Sequence, residues 1–281
     1  MNLLLPVVAA VLQAASFTLD KVVLSIQRLS FQAYVSVSFP LVFLFTAVIF
    51  LFIQPTITAD YFSPTLLALV LLATALTLVY NLFFYRALSA DTLAEIQTLD
   101  ILPTFPIILF TGLLFPDERN PSVLIAALIA AAAVIWSHWE KHHFVIARRT
   151  KSYLLWSLLA APVGAAAAKI VLQTWDPLTL ELVHTLLLAV VLGPLFRRFV
   201  QGPSRRAISL LLLTNLLTTL AWLLFFYSVQ RSGVVYTLLI FLLQPLLVYL
   251  AAVFFLRERP RFKKTFAFIV VLAAIVFAQI A

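Results

Sequence analysis

Apolar residues fill most of the chain in long runs, and short polar or proline-rich breaks separate these runs. A helix needs about 20 apolar residues to cross the hydrocarbon of a bilayer, and each run is long enough for one crossing. Breaks such as Gln54-Pro55 and Gln201-Gly202-Pro203-Ser204 are typical helix stops. The pattern predicts an all-α polytopic membrane protein with ten transmembrane helices, numbered spans 1 to 10, at 3–26, 31–53, 64–85, 92–114, 121–139, 152–173, 177–196, 207–229, 234–256 and 262–280.

The composition agrees with this pattern and excludes several classes of protein. Of the 281 residues, 64% are hydrophobic and 11% are charged, and the mean hydropathy is +1.10. Soluble domains are typically about 45–50% apolar and about 25% charged. A soluble enzyme, a nucleic-acid-binding protein and a disordered chain are therefore excluded. The N-terminal run lacks the basic start of a signal peptide, so we interpret it as span 1.

The net charge of +8 comes from basic residues that lie mostly on one side of the predicted spans. Because Lys and Arg are enriched in cytoplasmic loops, this asymmetry predicts a plasma (inner) membrane protein with cytoplasmic basic loops and both termini outside. The opposite side carries only Arg119 and Arg231. The basic loops contain Arg28, Arg86, Lys141, Arg148, Arg149, Lys151, Arg197, Arg198, Arg205, Arg206, Arg257, Arg259, Arg261, Lys263 and Lys264. Residues expected in interfacial aromatic belts are Trp136, Trp139, Tyr153, Trp156 and Trp175.

The two halves of the chain repeat short elements in the same order. Since each half contains five spans, an odd number, the second half enters the membrane upside down relative to the first. Inverted repeats of this kind are a recurring architecture of secondary transporters. We predict repeats at 1–142 and 150–281, from the pairs Lys21 and Lys169, 82–85 and 224–227, Pro103 and Pro245, and 118–119 and 258–259.

These motifs resemble those of the drug/metabolite transporter superfamily, with two EamA-like halves. The resemblance rests on Phe84-Tyr85-Arg86-Ala87-Leu88, the central prolines of spans 4 and 9, and the Glu-Arg pair after each of those spans. It implies a ten-helix fold and export or exchange of small organic solutes, such as amino acids or amphipathic drugs, often driven by protons. The second copy, 226–230, lacks the Ala-Leu pair. The resemblance also implies cytoplasmic termini, whereas the charge pattern predicts outside termini.

Asp100 is the strongest candidate for a substrate or proton site. It lies about 12 Å deep in span 4, by helix rise, and an acid at that depth is typically functional. Gln97 shares its helix face, and Pro103 is expected to kink the helix and to free the carbonyl around Leu99 toward a cavity. The alternative is a protonated acid bonded to a neighbouring hydroxyl. Further candidates for the substrate site are Gln13, Tyr80, Asn81, Trp222 and Gln244, whereas spans 2, 5, 7 and 10 are expected to serve as packing scaffold.

Ionisable residues near the span ends predict two gating layers related by the repeat. On the cytoplasmic side we expect Lys21 to pair with Glu95 or Asp20, and on the outer side Lys169 to pair with Glu181. The alternative is that both lysines extend to the lipid headgroups as anchors. His184 is a possible proton site, with hydrogen-bonded packing as the alternative. The other histidines, His138, His142 and His143, lie in a basic loop and are interpreted as solvated rather than metal-binding.

The sequence thus favours a secondary active transporter of small organic metabolites, with alternating access between two inverted halves and proton coupling as a further hypothesis. A flippase for a lipid-linked head group is the second hypothesis, in which Lys169 would supply a cation. A membrane scaffold or an intramembrane enzyme is the third. No motif for nucleotide hydrolysis or metal chemistry occurs, so we expect no cofactor and no catalytic residue. The expected partners are a small solute, the bilayer and protons, with no nucleic acid, and the chain is expected to be a monomer.

Overall fold

The computed structural model describes residues 3–26, 30–140, 143–144, 146–196 and 205–280. Within these ranges nine stretches are long and apolar enough to cross a membrane, and a tenth, Pro121–Ser137, is shorter but apolar. The predicted fold class is confirmed. The helices are α1 Leu4–Ile26, α2 Phe31–Ile53, α3 Pro64–Ala90, α4 Leu93–Leu99, α5 Thr104–Leu114, α6 Pro121–Ser137, α7 Arg148–Leu172, α8 Pro177–Phe196, α9 Arg205–Ser232, α10 Val234–Phe241, α11 Leu243–Phe254 and α12 Phe262–Ile280.

Two of the ten spans are broken. Span 4 consists of α4 and α5, and span 9 consists of α10 and α11. The remaining described elements are two short 3₁₀ helices, Ala59–Phe62 and Pro116–Glu118, and a hairpin of strands β1 Trp139–Glu140 and β2 His143–Phe144 in the basic loop. Several residues used above for topology, for the loop histidines or as a helix stop lie outside the described residues: Arg28, Lys141, His142, Arg197, Arg198 and 201–204.

Side chains and prolines fix where several helices begin. Thr92 accepts a hydrogen bond from the backbone N–H of Glu95 at the start of α4, and Asn120 accepts one from Val123 at the start of α6. Such N-cap bonds satisfy backbone donors that have no partner within the helix. Proline occupies the first position of both α3 and α6, where its missing N–H costs nothing.

The break in span 4 lies beside Pro103, where the sequence predicted a kink. Asp100 ends α4, and Pro103, which has no N–H to donate, precedes α5. The carbonyl of Leu99 is not left free, however, because the chain tightens into a turn and the N–H of Leu102 donates to it at 3.0 Å. The expectation of a free carbonyl there was wrong, since a tighter turn supplies the donor that proline removes. In span 9 the corresponding break at Leu242 comes just before Pro245.

Helices from the two predicted repeats pack against each other throughout the protein. The most extensive helix pairs are α1 with α9, α2 with α8, α3 with α7, and α6 with α12. Each pair joins one span of the first half to one span of the second. An axis that exchanges the halves would convert the pair of spans 1 and 8 into the pair of spans 6 and 3, and both pairs occur. This is the contact pattern expected of inverted repeats. The repeat bounds, 1–142 and 150–281, remain predictions.

Candidate functional site

A cavity of about 320 Å³ lies among the helices of both halves. Small-molecule pockets span roughly 300–1,000 Å³, so this volume suits a small solute. No residue of α6 or α12 contributes to the described lining, whereas α2 and α8 both do, so the expectation that spans 2 and 7 only provide packing was wrong. Eight predicted site residues lie in the wall: Gln13, Tyr80, Asn81, Asp100, Glu181, His184, Trp222 and Gln244.

Asp100 lies in the cavity wall at the break of span 4, where two tyrosine hydroxyls meet its carboxyl group. Tyr153 donates a hydrogen bond to Oδ1, and the Tyr80 hydroxyl lies 3.4 Å from the same oxygen. The two hydroxyls are 3.1 Å apart. The acid is therefore bonded to neighbouring hydroxyls, as in the alternative interpretation of its role, and it also lines the cavity.

Tyr153 is the residue of this cluster that sequence reasoning missed. We expected it in an interfacial belt, but it is fully buried and contacts Asp100 from α7. Trp175 was likewise expected at the interface and is instead buried, stacked on Tyr61 at a centroid distance of 5.1 Å. Both lie near the end of an apolar run, where a belt residue and a buried residue look alike in sequence. Trp136 and Trp139 are exposed, as belt residues should be.

Two glutamines join the broken spans beside the cavity. The amide of Gln244 on α11 donates to the side-chain oxygen of Gln97 on α4 at 2.7 Å. Gln97 is fully buried and does not line the cavity, so it holds the cavity residue Gln244 in place by a hydrogen bond from outside the cavity wall. Gln13 on α1 lines the cavity, and its side-chain oxygen is buried without a hydrogen-bond partner. Asn81 donates to the carbonyl of Thr77 on its own helix.

Asp20 does not pair with Lys21 but lies in a separate cluster of hydroxyl groups. Tyr34 donates to its Oδ1, Thr214 donates to the same oxygen at 2.5 Å, and Tyr85 lies 3.4 Å from Oδ2. The carboxyl group is almost fully buried and does not line the cavity. The expected pairing with Lys21 was wrong, because adjacent residues on a helix point in different directions.

Lys169 forms the centre of an ionic network at the predicted outer end. Its Nζ lies 2.6 Å from Oε1 of Glu118 and 2.5 Å from Oδ2 of Asp117. The bond to Lys169 lowers the pKa of the exposed Asp117 carboxyl, so this pair stabilises the fold at neutral pH and is lost only as pH falls through the lowered pKa. The expected pairing with Glu181 was wrong, because Lys169 instead pairs with Asp117 and Glu118, which follow span 4.

Glu118 also caps the start of the second broken span. Its two carboxylate oxygens accept from the backbone N–H groups of Val234 and Val235, at 2.7 and 2.9 Å. A carboxylate at this position satisfies two helix donors and is attracted by the positive end of the helix dipole. The Glu-Arg pair that we recognised only as a repeat motif therefore has a structural role.

The same cap occurs at the predicted cytoplasmic end, built from the other half. Glu258 accepts from the N–H groups of Leu93 and Ala94, at 3.0 and 3.1 Å, at the start of α4. Lys21, the counterpart of Lys169, donates instead to the carbonyls of Leu88 and Asp91 at the end of α3, at 2.7 and 2.6 Å. Its expected pairing with Glu95 is wrong, because these carbonyls, which lack helical partners, hold the ammonium group.

Glu95 belongs to a different cluster at the predicted cytoplasmic end. It pairs with Lys264 at the start of α12, and its Oε1 lies 3.1 Å from Nε2 of His138. Both partners are buried. Lys264, which we counted among the basic loop residues, is therefore buried, and the interpretation of His138 as part of a solvated histidine run was wrong. Both were assigned by their place beside a basic loop, whereas helix packing turns them inward.

Gly233 is the residue that allows Glu118 to approach α10. Its backbone has φ +86° and ψ 165°, a conformation open only to glycine, and an added Cβ would lie 2.7 Å from Oε1 of Glu118. We expect Gly233→Ala to lower the free energy of unfolding by about 1–3 kcal/mol from the backbone alone. Denaturant titration of the detergent-solubilised protein measures this change.

Gly112→Ala is the matched control, because Gly112 lies inside α5 and its added Cβ would meet no atom within 4 Å. Glycine within a helix costs roughly 0.5–1 kcal/mol relative to alanine, so the control is expected to be neutral or slightly stabilising. Equal effects of the two substitutions would contradict the role given to Gly233.

Two broken helices meet at a cavity between halves that pack span against span, an arrangement that recurs among multi-pass secondary transporters. Residues 151–279 match the model of the EamA-like transporter family, so the second half carries a domain of a transporter family, consistent with the drug/metabolite transporter superfamily. A solved crystal structure is similar to the chain with a TM-score of 0.74 at 15% identity, over 99% of this chain and 96% of that one. At this identity the likeness shows the fold alone. No curated protein matches the chain.

Proposed function

We propose that the protein is a secondary active transporter that exports or exchanges small organic metabolites, such as amino acids or amphipathic and aromatic solutes. The single observation that carries this proposal is the cavity, because it lies between the two halves and contains the break of each broken span. Discontinuous helices at a central cavity are typical of transporter binding sites. Proton coupling through Asp100 is part of the proposal.

Alternating access would follow from the two capped ends. Glu118 ties the end of span 4 to the start of span 9 on one side, and Glu258 ties the end of span 9 to the start of span 4 on the other. If the halves rock about the cavity, one of these ties can open while the other holds. Lys169 strengthens the first tie directly, and the cluster of Glu95, Lys264 and His138 adds to the second end.

The flippase hypothesis is less well supported. A phosphorylated head group needs a cation in the site, and Lys169 is held by two carboxylates outside the cavity wall. No lysine or arginine lines the cavity within the described ranges.

Counterflow in proteoliposomes tests the proposed function. Vesicles loaded with one unlabelled solute from a panel of amino acids, nucleosides, amines and lipid-linked sugars are diluted into the labelled solute. Transient accumulation above protein-free vesicles is expected for at least one small organic solute. Accumulation restricted to the lipid-linked sugars would favour the flippase instead, and binding without counterflow would contradict transport.

The orientation can be tested with single cysteines, because the natural sequence has none. Thr56 and Arg259 are both exposed and lie in loops predicted to face opposite sides. In intact cells with an accessible outer face, a membrane-impermeant maleimide is expected to label Thr56→Cys and to leave Arg259→Cys unlabelled until the membrane is opened. The reverse pattern would place the termini in the cytoplasm and overturn the charge-based orientation.

A further inference from the structure

Glu181 is a carboxyl group without a protein partner in the wall of the cavity. It lies one turn into α8, only 4% of its surface is exposed, and it lines the cavity. Its side chain makes no hydrogen bond or ion pair with any residue in the described part of the chain. Its backbone carbonyl accepts a hydrogen bond from the Thr185 hydroxyl at 2.7 Å. A buried carboxylate normally has a charged or hydrogen-bonding partner, so this partner is expected to come from the cavity.

Among the residues that the structure describes, no lysine or arginine pairs with this acid. Lys169, the partner expected from the sequence, is held by Asp117 and Glu118. The described lining includes a second carboxyl group, Asp100, and neither lysine nor arginine. The fixed groups of the cavity therefore favour a positively charged ligand and disfavour an anion.

His184 extends this polar patch along the same helix. It lies three residues after Glu181 and therefore on the same face of α8, and it also lines the cavity. Its Nε2 is buried without a hydrogen-bond partner. A neutral imidazole nitrogen can accept a hydrogen bond, so Glu181 and His184 together can receive two N–H groups of one ligand.

Aromatic side chains line the same cavity as Glu181 and His184. Trp222, Phe225 and Phe226 are all in its wall, and Trp222 and Phe225 pack against the apolar cluster that contains Phe226. Ring centroids of Trp222 and Phe225 are 5.3 Å apart, and Phe241 lies 4.9 Å from Phe225. Aromatic rings of this kind bind a flat apolar group and also attract a cation over their faces.

We propose that Glu181 and His184 form the subsite for the ammonium group of an amine whose aromatic or apolar body lies against Trp222 and Phe225. This inference rests on the proposed transport function and names the substrate class, organic amines. A carboxylate on the ligand finds no lysine or arginine among the described lining residues. The site therefore separates amines from amino acids, which carry both charges.

Isothermal titration of the purified full chain in detergent tests this subsite with four probes of similar size. These are 2-phenylethylamine, the neutral 2-phenylethanol, the anionic 3-phenylpropanoate and zwitterionic phenylalanine. We expect the amine to bind at least about tenfold more tightly than each of the others, since a charge-assisted hydrogen bond is worth about that factor. Glu181→Gln, which keeps the size of the side chain, is expected to remove this preference.

Two control variants locate the effect. Asp60→Asn changes an exposed carboxyl group outside the cavity and should leave all four affinities unchanged. Asp100→Asn removes the other acid of the cavity and should weaken the preference for the amine less than Glu181→Gln does. The proposal is overturned if the preference is absent, if it survives in Glu181→Gln, or if Asp100→Asn removes it instead. Thermal unfolding of each variant, compared with the unaltered chain, shows that a loss of binding is not a loss of fold.

The outcomes also separate this inference from the proposed function. Tight amine binding without counterflow of any panel solute would keep the subsite and contradict transport. Counterflow of other solutes, together with no preference among the four probes, would keep transport and contradict the subsite.

Discussion

Replacing Asp100 by Asn is expected to abolish proton-driven transport while leaving counterflow of the solute intact. The carboxyl group faces the cavity and is held by the hydroxyls of Tyr153 and Tyr80. Asparagine has nearly the same shape, and its oxygen can accept the same hydrogen bonds, but it carries no exchangeable acidic proton. Counterflow needs no net proton movement, so only the driven mode should fail.

The measurement uses the panel solute with the strongest counterflow, in proteoliposomes with and without an imposed pH gradient. In Asp100→Asn vesicles, accumulation under the gradient is expected to fall to the value seen without it. Tyr153→Phe, which removes a donor but keeps the acid, should retain part of the gradient response. Full gradient-driven accumulation by Asp100→Asn would sink the coupling hypothesis.

Asp20→Asn provides the matched control at a second buried acid. Asp20 is also held by tyrosine and threonine hydroxyls, but it does not line the cavity. The same chemical change at this site should therefore leave the gradient response in place. A larger effect at Asp20 than at Asp100 would move the proton site into the hydroxyl cluster of Tyr34, Tyr85 and Thr214.

The spans, and an irregularity of span 4 at Pro103, could be predicted from the sequence because they depend on local chemistry. A run of about 20 apolar residues must form its own backbone hydrogen bonds in lipid, so it becomes a helix wherever it lies. Pro103 and Pro245 remove a donor from their own helix, and the breaks of spans 4 and 9 lie beside them. The repeated motifs likewise indicated which spans correspond.

The ionic partners could not be predicted because they depend on how distant helices pack. Their depths along the spans predicted that Lys169 and Glu181 lie in one layer. Lys169 pairs instead with Glu118, which follows the end of span 4. Lys264 belongs to a run of basic residues that looks solvated, yet its side chain turns inward to Glu95. The position of a residue along its span indicates how deep it lies in the membrane. The residue that its side chain contacts depends on how the helices pack.

The residues of the cavity wall could be predicted from the sequence only in part. Asp100 and Glu181 stand out because charged residues are rare in these spans. Tyr153 carries no such signal, since tyrosine beside a basic loop is equally typical of a lipid interface. Its assignment depends on how α7 packs. Packing against α3 brings the Tyr153 hydroxyl within 3.1 Å of the Tyr80 hydroxyl, and packing against the broken span 4 brings it to Asp100.

Glu118→Ala is expected to destabilise the protein more than the equivalent substitution Glu258→Ala. Glu118 is buried, pairs with the buried Lys169 and satisfies two N–H groups of α10. Removing one partner of a buried ion pair costs about 3–5 kcal/mol, and the low end is expected because Asp117 still contacts Lys169. Glu258 is only half-buried and caps α4 without a direct ion pair, so its loss should cost about 0.5–2 kcal/mol, as for other helix caps.

Denaturant titration in the same detergent compares the free energies of unfolding of the two variants. Glu118→Gln adds a third point, because its amide oxygen can still accept a hydrogen bond from α10 while the charge that pairs with Lys169 is gone. Its stability is expected to lie between those of Glu118→Ala and the unaltered chain. Two small and equal losses for Glu118→Ala and Glu258→Ala would mean that the ion pair adds nothing to the cap. The predicted outer end would then be held no more firmly than the cytoplasmic end, and the two ties of the proposed alternating-access cycle would be equivalent in strength.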